Sequence, residues 1–322
     1  MKNTWKSLAL AAVLAWWLPW VLLAAWEAWE PGTETVEETM PQTQEKEQHP
    51  MPTEPEQIHA IDVWMNDAVV TMELSDYLTG VLISEMPGSF HMEAKKAQAV
   101  VARTYALRRM DGGGKHPGAV CTDSRCCQGY TDPSTFGNGE TVASARQAVE
   151  QTNGLVLVYD GQLIDATYFS TSGGMTEDAV AVWGSDVPYL QSVESPGEEI
   201  AAHYEDTVFF TKSQLEKALG ICLSNGKWIG AITYTEGGGV ATMVIEGRSF
   251  QGTQLRSALG LRSTAFTVVQ ENDGLTITTR GYGHRVGMSQ YGAQAMALDG
   301  IGYADILTHY YRGAMLVEWI EE

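Results

Sequence analysis

The chain has 322 residues and carries 40 acidic against 20 basic side chains, a formal net charge of −20. That surplus excludes nucleic acid as a general partner, because its phosphates would be repelled. It fits a soluble, extracytoplasmic protein, and much of it falls in one acidic stretch, Glu30 to Gln57.

From the N-terminus, Ser7 to Trp26 is an apolar run interrupted by Pro19, and its roughly 20 residues suffice to span a bilayer. Lys2 and Lys6 precede it and acids follow, so the positive-inside rule predicts a cytoplasmic N-terminus and an external remainder. Leu23-Ala24-Ala25 also suits a cleaved signal peptide, but the length of the run and its tryptophans favour an uncleaved anchor. Residues 1–27 are therefore assigned to the anchor. Residues 28–57, rich in proline and glutamate and without apolar periodicity, are assigned to a disordered tether.

Strands are predicted at Ile61–Met65 and Val69–Glu73. A helix follows in which Leu78, Val81 and Leu82 share one face, and the next position on that face is Glu85. The pattern points a carboxylate inward, and Pro87 ends the helix just beyond it. A second helix, about Met92 to Met110, is apolar on most of its circumference, which predicts a central core helix. Arg103 lies on its buried stripe, between Ala99 and Val100 on one side and Ala106 and Leu107 on the other. Glu85 and Arg103 are either a structural ion pair or two parts of a site.

Three of the four cysteines crowd into His116-Pro-Gly-Ala-Val-Cys121-Thr-Asp-Ser-Arg-Cys126-Cys127. Outside the cytoplasm Cys121 is expected to bridge Cys126 or Cys127, whereas one histidine and three thiolates also match a closed structural zinc site. Cys222 sits among apolar residues and reads as a core thiol. A hairpin is predicted from Leu155–Tyr159 through Asp160-Gly161 to Gln162–Phe169, leading into the loop Ser170-Thr-Ser-Gly-Gly174.

Residues 196–266 read as a small α+β insertion, with a helix around Lys212–Leu219, a hairpin turning at Gly237-Gly-Gly239 and a short helix near Gln254–Leu259. A strand at Leu275–Thr279 and a helix from about Ser289 flank Arg280-Gly-Tyr-Gly-His-Arg-Val-Gly-Met-Ser-Gln-Tyr-Gly-Ala293, whose four glycines mark positive φ or close backbone approach. Tyr303–Tyr311 is a closing helix with Ile306, Leu307, Tyr310 and Tyr311 inward. The expected fold class is α+β: a mixed, mainly antiparallel sheet with central helices, the small insertion and a single N-terminal transmembrane helix. The catalytic core is expected in two parts, 58–195 and 267–322.

Five motifs occur in order: Ile83-Ser-Glu-Met-Pro87, Glu93-Ala-Lys-Lys-Ala-Gln-Ala-Val-Val-Ala-Arg-Thr-Tyr-Ala106, Cys127-Gln-Gly-Tyr130, Ser170-Thr-Ser-Gly-Gly174 and Gly281–Ala293. Together they make the chain, from about Val63 onward, resemble the stage II sporulation protein D family. Those proteins are lytic transglycosylases that cut peptidoglycan glycan strands during engulfment in endospore formers. Where the family usually reads Gly-His-Gly, this chain has Gly283-His284-Arg285. The resemblance implies zinc on His116, Cys121, Cys126 and Cys127, since some members bind it with histidine and cysteine in this stretch. It implies as partners a cell-wall amidase and other engulfment-membrane proteins, and a workplace outside the cell membrane, between mother cell and forespore. It also suggests that stem peptides are removed first.

The residues suit this chemistry on their own terms. Most glycosidases need two carboxylates, and the loops above hold no second one. A lytic transglycosylase needs one, because the C6 hydroxyl of muramic acid is an intramolecular nucleophile of high effective molarity. Glu85 is the expected acid and base, its carboxyl raised by an apolar setting. Arg103 is expected on the substrate, because a cation touching Glu85 would lower that carboxyl. Gln128, Tyr130, Ser170, Ser172, His284, Gln290 and Tyr291 are the expected lining, the tyrosines stacking on sugar faces. A non-catalytic wall-binding protein that modifies an amidase is the alternative.

Overall fold

The structure, a computed structural model, describes residues 60–319 apart from Gly114. The expected anchor and tether lie outside the described residues. In chain order the elements are strands β1 (Ala60–Met65) and β2 (Ala68–Glu73), helices α1 (Leu74–Glu85) and α2 (Met92–Arg108), β3 (Val120–Cys121), α3 (Gly139–Gln151), β4 (Leu155–Tyr159), β5 (Gln162–Leu163), β6 (Tyr168–Phe169) and α4 (Ala179–Trp183). There follow β7 (Glu205–Thr211), α5 (Lys212–Leu219), β8 (Ile229–Tyr234), β9 (Val240–Ile245), β10 (Arg248–Gln251), α6 (Gly252–Leu259), β11 (Phe266–Gln270) and β12 (Gly274–Arg280). The chain closes with β13 (Met288–Ser289), α7 (Gln290–Leu298), α8 (Tyr303–Tyr310) and β14 (Met315–Glu318).

The expected fold class needs correction on two counts. Instead of one mixed sheet, the strands form several small ones: β2-β1-β3, β14-β4-β5, β13-β6, β11-β12-β7 and β10-β9-β8. The predicted 155–169 hairpin shows why. Asp160 and Gly161 take the expected left-handed turn, at φ 49° and 75°, yet β5 pairs for two residues only. The chain then leaves, the other edge of β4 is taken by β14, and Tyr168–Phe169 pairs in parallel with Met288–Ser289. The strand at 274–280 likewise pairs with β7 and β11 and not with β4. The second correction concerns the transmembrane helix. Among the described residues no helix is long and apolar enough to cross a membrane, and Ser7 to Trp26 lies outside them.

Helix α2 is the hub, and its sequence explains its position. Ala97, Val100 and Val101 face a core shared with α7, α8 and Leu157, while Ala99, Ala102 and Ala106 face a second core shared with α1, α3, β1 and Val156. A helix apolar on both sides is stable only between two layers. A third core, from Leu215 to Ile277, fills the expected 196–266 insertion together with β12. Cys222 is exposed rather than in the core, because Ile221 and Leu223 on either side of it turn inward.

Candidate active site

Glu85 is the last residue of α1. Met86 leaves the helix in an extended conformation, φ −121° and ψ 139°, as the following Pro87 requires. The Glu85 carboxylate therefore projects from a helix end into a cleft of about 580 Å³. Tyr105 and Arg109 from the end of α2, Cys126 and Cys127, Thr167 to Ser170, Trp183, and Tyr282 to His284 with Gln290 complete its wall. Among the described residues lining it, Glu85 is the one carboxylate.

Two donors hold that carboxylate. The Gly129 amide donates to Glu85 Oε1 at 2.6 Å, and the Tyr168 hydroxyl bonds to it as well. Behind Tyr168, the Tyr77 hydroxyl donates to Gln128 Oε1 at 3.1 Å, and Gln128 Nε2 donates to the Tyr168 hydroxyl oxygen at 3.3 Å. With its oxygen receiving from Gln128, Tyr168 turns its proton to Glu85. Burial nevertheless outweighs both donors and pushes the Glu85 carboxyl up. The negative end of the α1 macrodipole acts in the same direction. The Tyr168 hydroxyl is pushed well up, first by burial and then by the adjacent carboxylate, so it remains a donor.

His284 is a neutral imidazole, its value drawn down to about 4 by burial and by nearby Arg256. Its Nδ1 accepts from the Val286 amide at 3.1 Å, and its ring stands against Phe169 and Trp183. It shapes the wall and carries no proton to exchange near neutrality. Gln290 opens α7, and its Nε2 is buried without a hydrogen-bond partner at the cleft wall. Arg109 lies over the Tyr105 ring and pairs with Asp165 at 3.3 Å.

The structure brings Glu85, Ser170, His284 and Gln290 together in the cleft and puts Gln128 directly behind it. The other expected substrate residues lie elsewhere. Arg103, 2 % exposed, donates to the carbonyls of Thr152 at 2.7 Å, Leu155 at 3.1 Å and Val149 at 3.2 Å, at the C-terminal end of α3. It is a structural cation satisfying helix-end carbonyls, not a substrate ligand. Tyr130 stacks on Tyr77 over Gly80, where even a methyl group would meet its ring at 2.3 Å. Ser172 is wholly buried and its amide donates to Glu198. Tyr291 packs edge-on against Phe90.

Sequence reasoning missed Tyr168, Tyr105, Arg109, Trp183 and Tyr282. Only Tyr105 carried a signal, one helical turn beyond Val101 on the inward stripe. Also missed are two buried carboxylates that brace the 170–177 loop. Glu198 accepts from the Ser172 and Gly173 amides at 2.6 and 2.9 Å, and Glu177 pairs with Arg285 Nη1 at 3.0 Å.

Beside the cleft, His116, Cys121 and Cys126 bring Nε2 and two Sγ atoms within 4.8 Å of one another. Cys126 Sγ lies 3.8 Å from His116 Nε2 and 3.9 Å from Cys127 Sγ, and all four cysteines are free. Tetrahedral zinc with bonds of about 2.0–2.3 Å needs ligand atoms roughly 3.5–3.8 Å apart, so the His116, Cys121 and Cys126 donors suit that ion, while Cys127, the fourth expected ligand, lies next to Cys126 but outside this three-residue cluster. The His116 ring is stacked on Trp64.

Known proteins resemble this chain. A family profile described as Stage II sporulation protein matches residues 65–159. The chain is 41 % identical over 263 residues to Stage II sporulation protein D of Bacillus subtilis (strain 168), spanning 79 % of this chain and 77 % of that one. It is 39 % identical over 263 residues to Stage II sporulation protein D of Bacillus amyloliquefaciens, spanning 79 % and 76 %. It is 32 % identical over 301 residues to a Bacillus subtilis (strain 168) protein named Amidase enhancer, spanning 75 % of this chain and 40 % of that one.

Proposed function

This chain belongs to the stage II sporulation protein D family, and from that premise we propose that its cleft is the active site of a peptidoglycan lytic transglycosylase. The observation that carries the reading is the solitary Glu85 carboxylate, raised by burial, in a cleft whose lining offers no second acid among the described residues. Hydrolysis by two carboxylates has no partner for it there. Intramolecular displacement needs none. Protonated Glu85 gives its proton to the glycosidic oxygen as the bond to muramic C1 breaks. The C6 oxygen then bonds to C1, its proton returns to Glu85, and the products are a 1,6-anhydro-muramic end and a free glucosamine hydroxyl. The Gly129 amide and Tyr168 hydroxyl hold the carboxylate form that exists between the two transfers. Ser170, His284 and Gln290 are placed to contact the sugars, and the unpartnered Gln290 amide suits an acetamido carbonyl.

Zinc on His116, Cys121, Cys126 and Cys127 would be structural. When bound it supplies a fixed charge that ties the 116–127 loop together, and the loop passes directly into Gln128 and Gly129, which hold Glu85 and its partner. The substrate places the folded part outside the cytoplasm. A cell-wall amidase is the partner that the relative named Amidase enhancer supports.

One observation favours a second reading, a non-catalytic wall protein that stimulates an amidase: the relative named Amidase enhancer. Mass spectrometry of peptide-free glycan strands after incubation with the protein decides between them. Anhydro-muramic ends from the wild type and none from Glu85→Gln are expected. Intact strands from both would leave the second reading.

A further inference from the structure

A second cavity of about 610 Å³ adjoins the cleft, between α4 on one side and β9 with the start of α6 on the other. Trp183 belongs to the linings of both. It is 46 % exposed, a large apolar ring left in solvent, and its centroid lies 5.3 Å from that of the His284 ring. The second cavity is lined by Gln251 and the hydroxyl-bearing Thr242, Thr253 and Thr264, while the Thr235 hydroxyl is committed to Glu177 and the Gly239 amide. Thr242 shares one hydrogen bond at 2.7 Å with Thr233, whichever of the two donates, so the Thr242 oxygen keeps hydrogen-bonding capacity for a ligand.

The charge on this lining is one-sided. Glu177, Asp178 and Glu236 lie on it, with no lysine or arginine among the described residues. Glu177 is paired with Arg285, which leaves Asp178 and Glu236 facing the space. A lactyl carboxylate would be repelled there, whereas the first cleft is lined by two arginines, Arg109 and Arg125, each paired with an aspartate. An aromatic platform, several hydroxyls, an amide and no cation suit a neutral, hydroxyl-rich ligand.

We infer that the second cavity is a distal subsite for an uncharged N-acetylhexosamine of the same glycan strand, with Trp183 as the stacking platform that joins it to the Glu85 cleft. The inference rests on the glycan-cleaving reading and gives the 196–266 insertion a task, since most of the second cavity's outer wall comes from it. A strand held across both cavities gains affinity from tethering, because the second contact becomes intramolecular.

Chito-oligosaccharides, uncharged oligomers of N-acetylglucosamine, are the probe, titrated calorimetrically against the full chain. The hexamer should bind at least about tenfold more tightly than the dimer, as linked sites do. Thr253→Glu and Ala181→Glu intrude from opposite walls without touching the first cleft. A glutamate suits the first turn of α6, and Ala181 is exposed, so both variants should fold. Each should erase the hexamer's advantage, and Trp183→Ala should weaken the hexamer as well. Equal binding of dimer and hexamer, no binding of either, or a hexamer affinity that neither glutamate variant changes would overturn the inference. Cleavage of peptide-free strands, assayed in parallel, separates the two readings. Anhydro ends without a length effect would leave the catalytic reading standing and remove only the subsite.

Discussion

The Gly129 amide and the Glu85 carboxylate are 2.6 Å apart although 44 positions separate them in the chain. The contact is possible because residue 129 lacks a side chain. A Cβ there would stand 2.7 Å from Ser84 Oγ and 2.9 Å from Glu85 Oε1. Gly129→Ala should thus push the carboxylate off its donor. A displacement of this size costs about 10²-fold in turnover and overpacking about 1–3 kcal/mol in stability. Single-turnover cleavage together with a denaturant melt measures both, and undiminished turnover would dismiss the contact as incidental.

Burial raises the Glu85 carboxyl, which fixes the sign of its pH dependence. Between its unfolded value and its higher folded value, the native state holds a proton that the unfolded chain has released. Wild-type stability therefore falls as pH rises through that window. Glu85→Gln carries no such group. It should match the wild type's pH trend below the window, gain relative to it across the window and keep that gain above. Melting temperatures of the two proteins over a pH series check this, and a constant difference would contradict it. The same carboxyl must be protonated to start the reaction, so kcat/KM should fall as pH rises through its folded value.

Arg103→Ala should act on stability and not on substrate. It removes a buried guanidinium from three carbonyls that accept from it, at a cost of about 3–5 kcal/mol. The protein that still folds should keep its KM. A raised KM with unchanged unfolding would return Arg103 to the cleft. Arg103→Lys should recover little, since a single ammonium cannot reach three carbonyls in fork geometry.

These cases mark what was legible. Glu85 could be found because its neighbours Leu78, Val81 and Leu82 set a period that only a carboxylate interrupts. Arg103 gave the same kind of signal for a different reason, because a charge on an inward stripe does not reveal its partner. Its partner, the end of α3, was itself unseen: Gly139 to Gln151 is mostly small or polar, and only Ala145, Ala148 and Val149 are buried. Helices that depend on local periodicity, such as Lys212–Leu219, were readable to the residue. Strand partners were not, because β12 pairs with β7 across the 62 residues from 212 to 273 and nothing local specifies that choice. Tyr168, the second donor to Glu85, looked like any strand aromatic.

The cluster of His116, Cys121 and Cys126, with Cys127 Sγ 3.9 Å from Cys126 Sγ, predicts about one zinc per chain, the capacity of one tetrahedral site. Elemental analysis of protein purified without added metal should find it, with the exposed Cys222 thiol reacting at once with a colorimetric reagent and the other three shielded until a chelator is added. Removal should lower the melting temperature, and it should lower turnover because Gly129 follows Cys127 by two residues. Rapid reaction of all four thiols in untreated protein, with no metal present, would refute the site.

Arg285 stands at φ +69°, a conformation that favours glycine, and it is tolerated because its side chain is committed on every side. The guanidinium, 1 % exposed, donates to the carbonyls of Ser172, Met175 and Gly237 and to Glu177, so it fastens the 170–177 loop to the β8–β9 turn directly behind His284. Arg285→Gly relieves the backbone but leaves Glu177 buried with its Oε2 already unpartnered. Breaking such a pair on one side costs about 3–5 kcal/mol, far more than the roughly 1–2 kcal/mol that a left-handed residue stores. The single variant should therefore be destabilised despite its better backbone. Adding Glu177→Gln should restore part of the loss, with a coupling of at least about 1 kcal/mol in a double-mutant cycle of denaturant melts. Additive losses would show that the pair is held by its backbone partners alone and that the charge on Glu177 is incidental to the join.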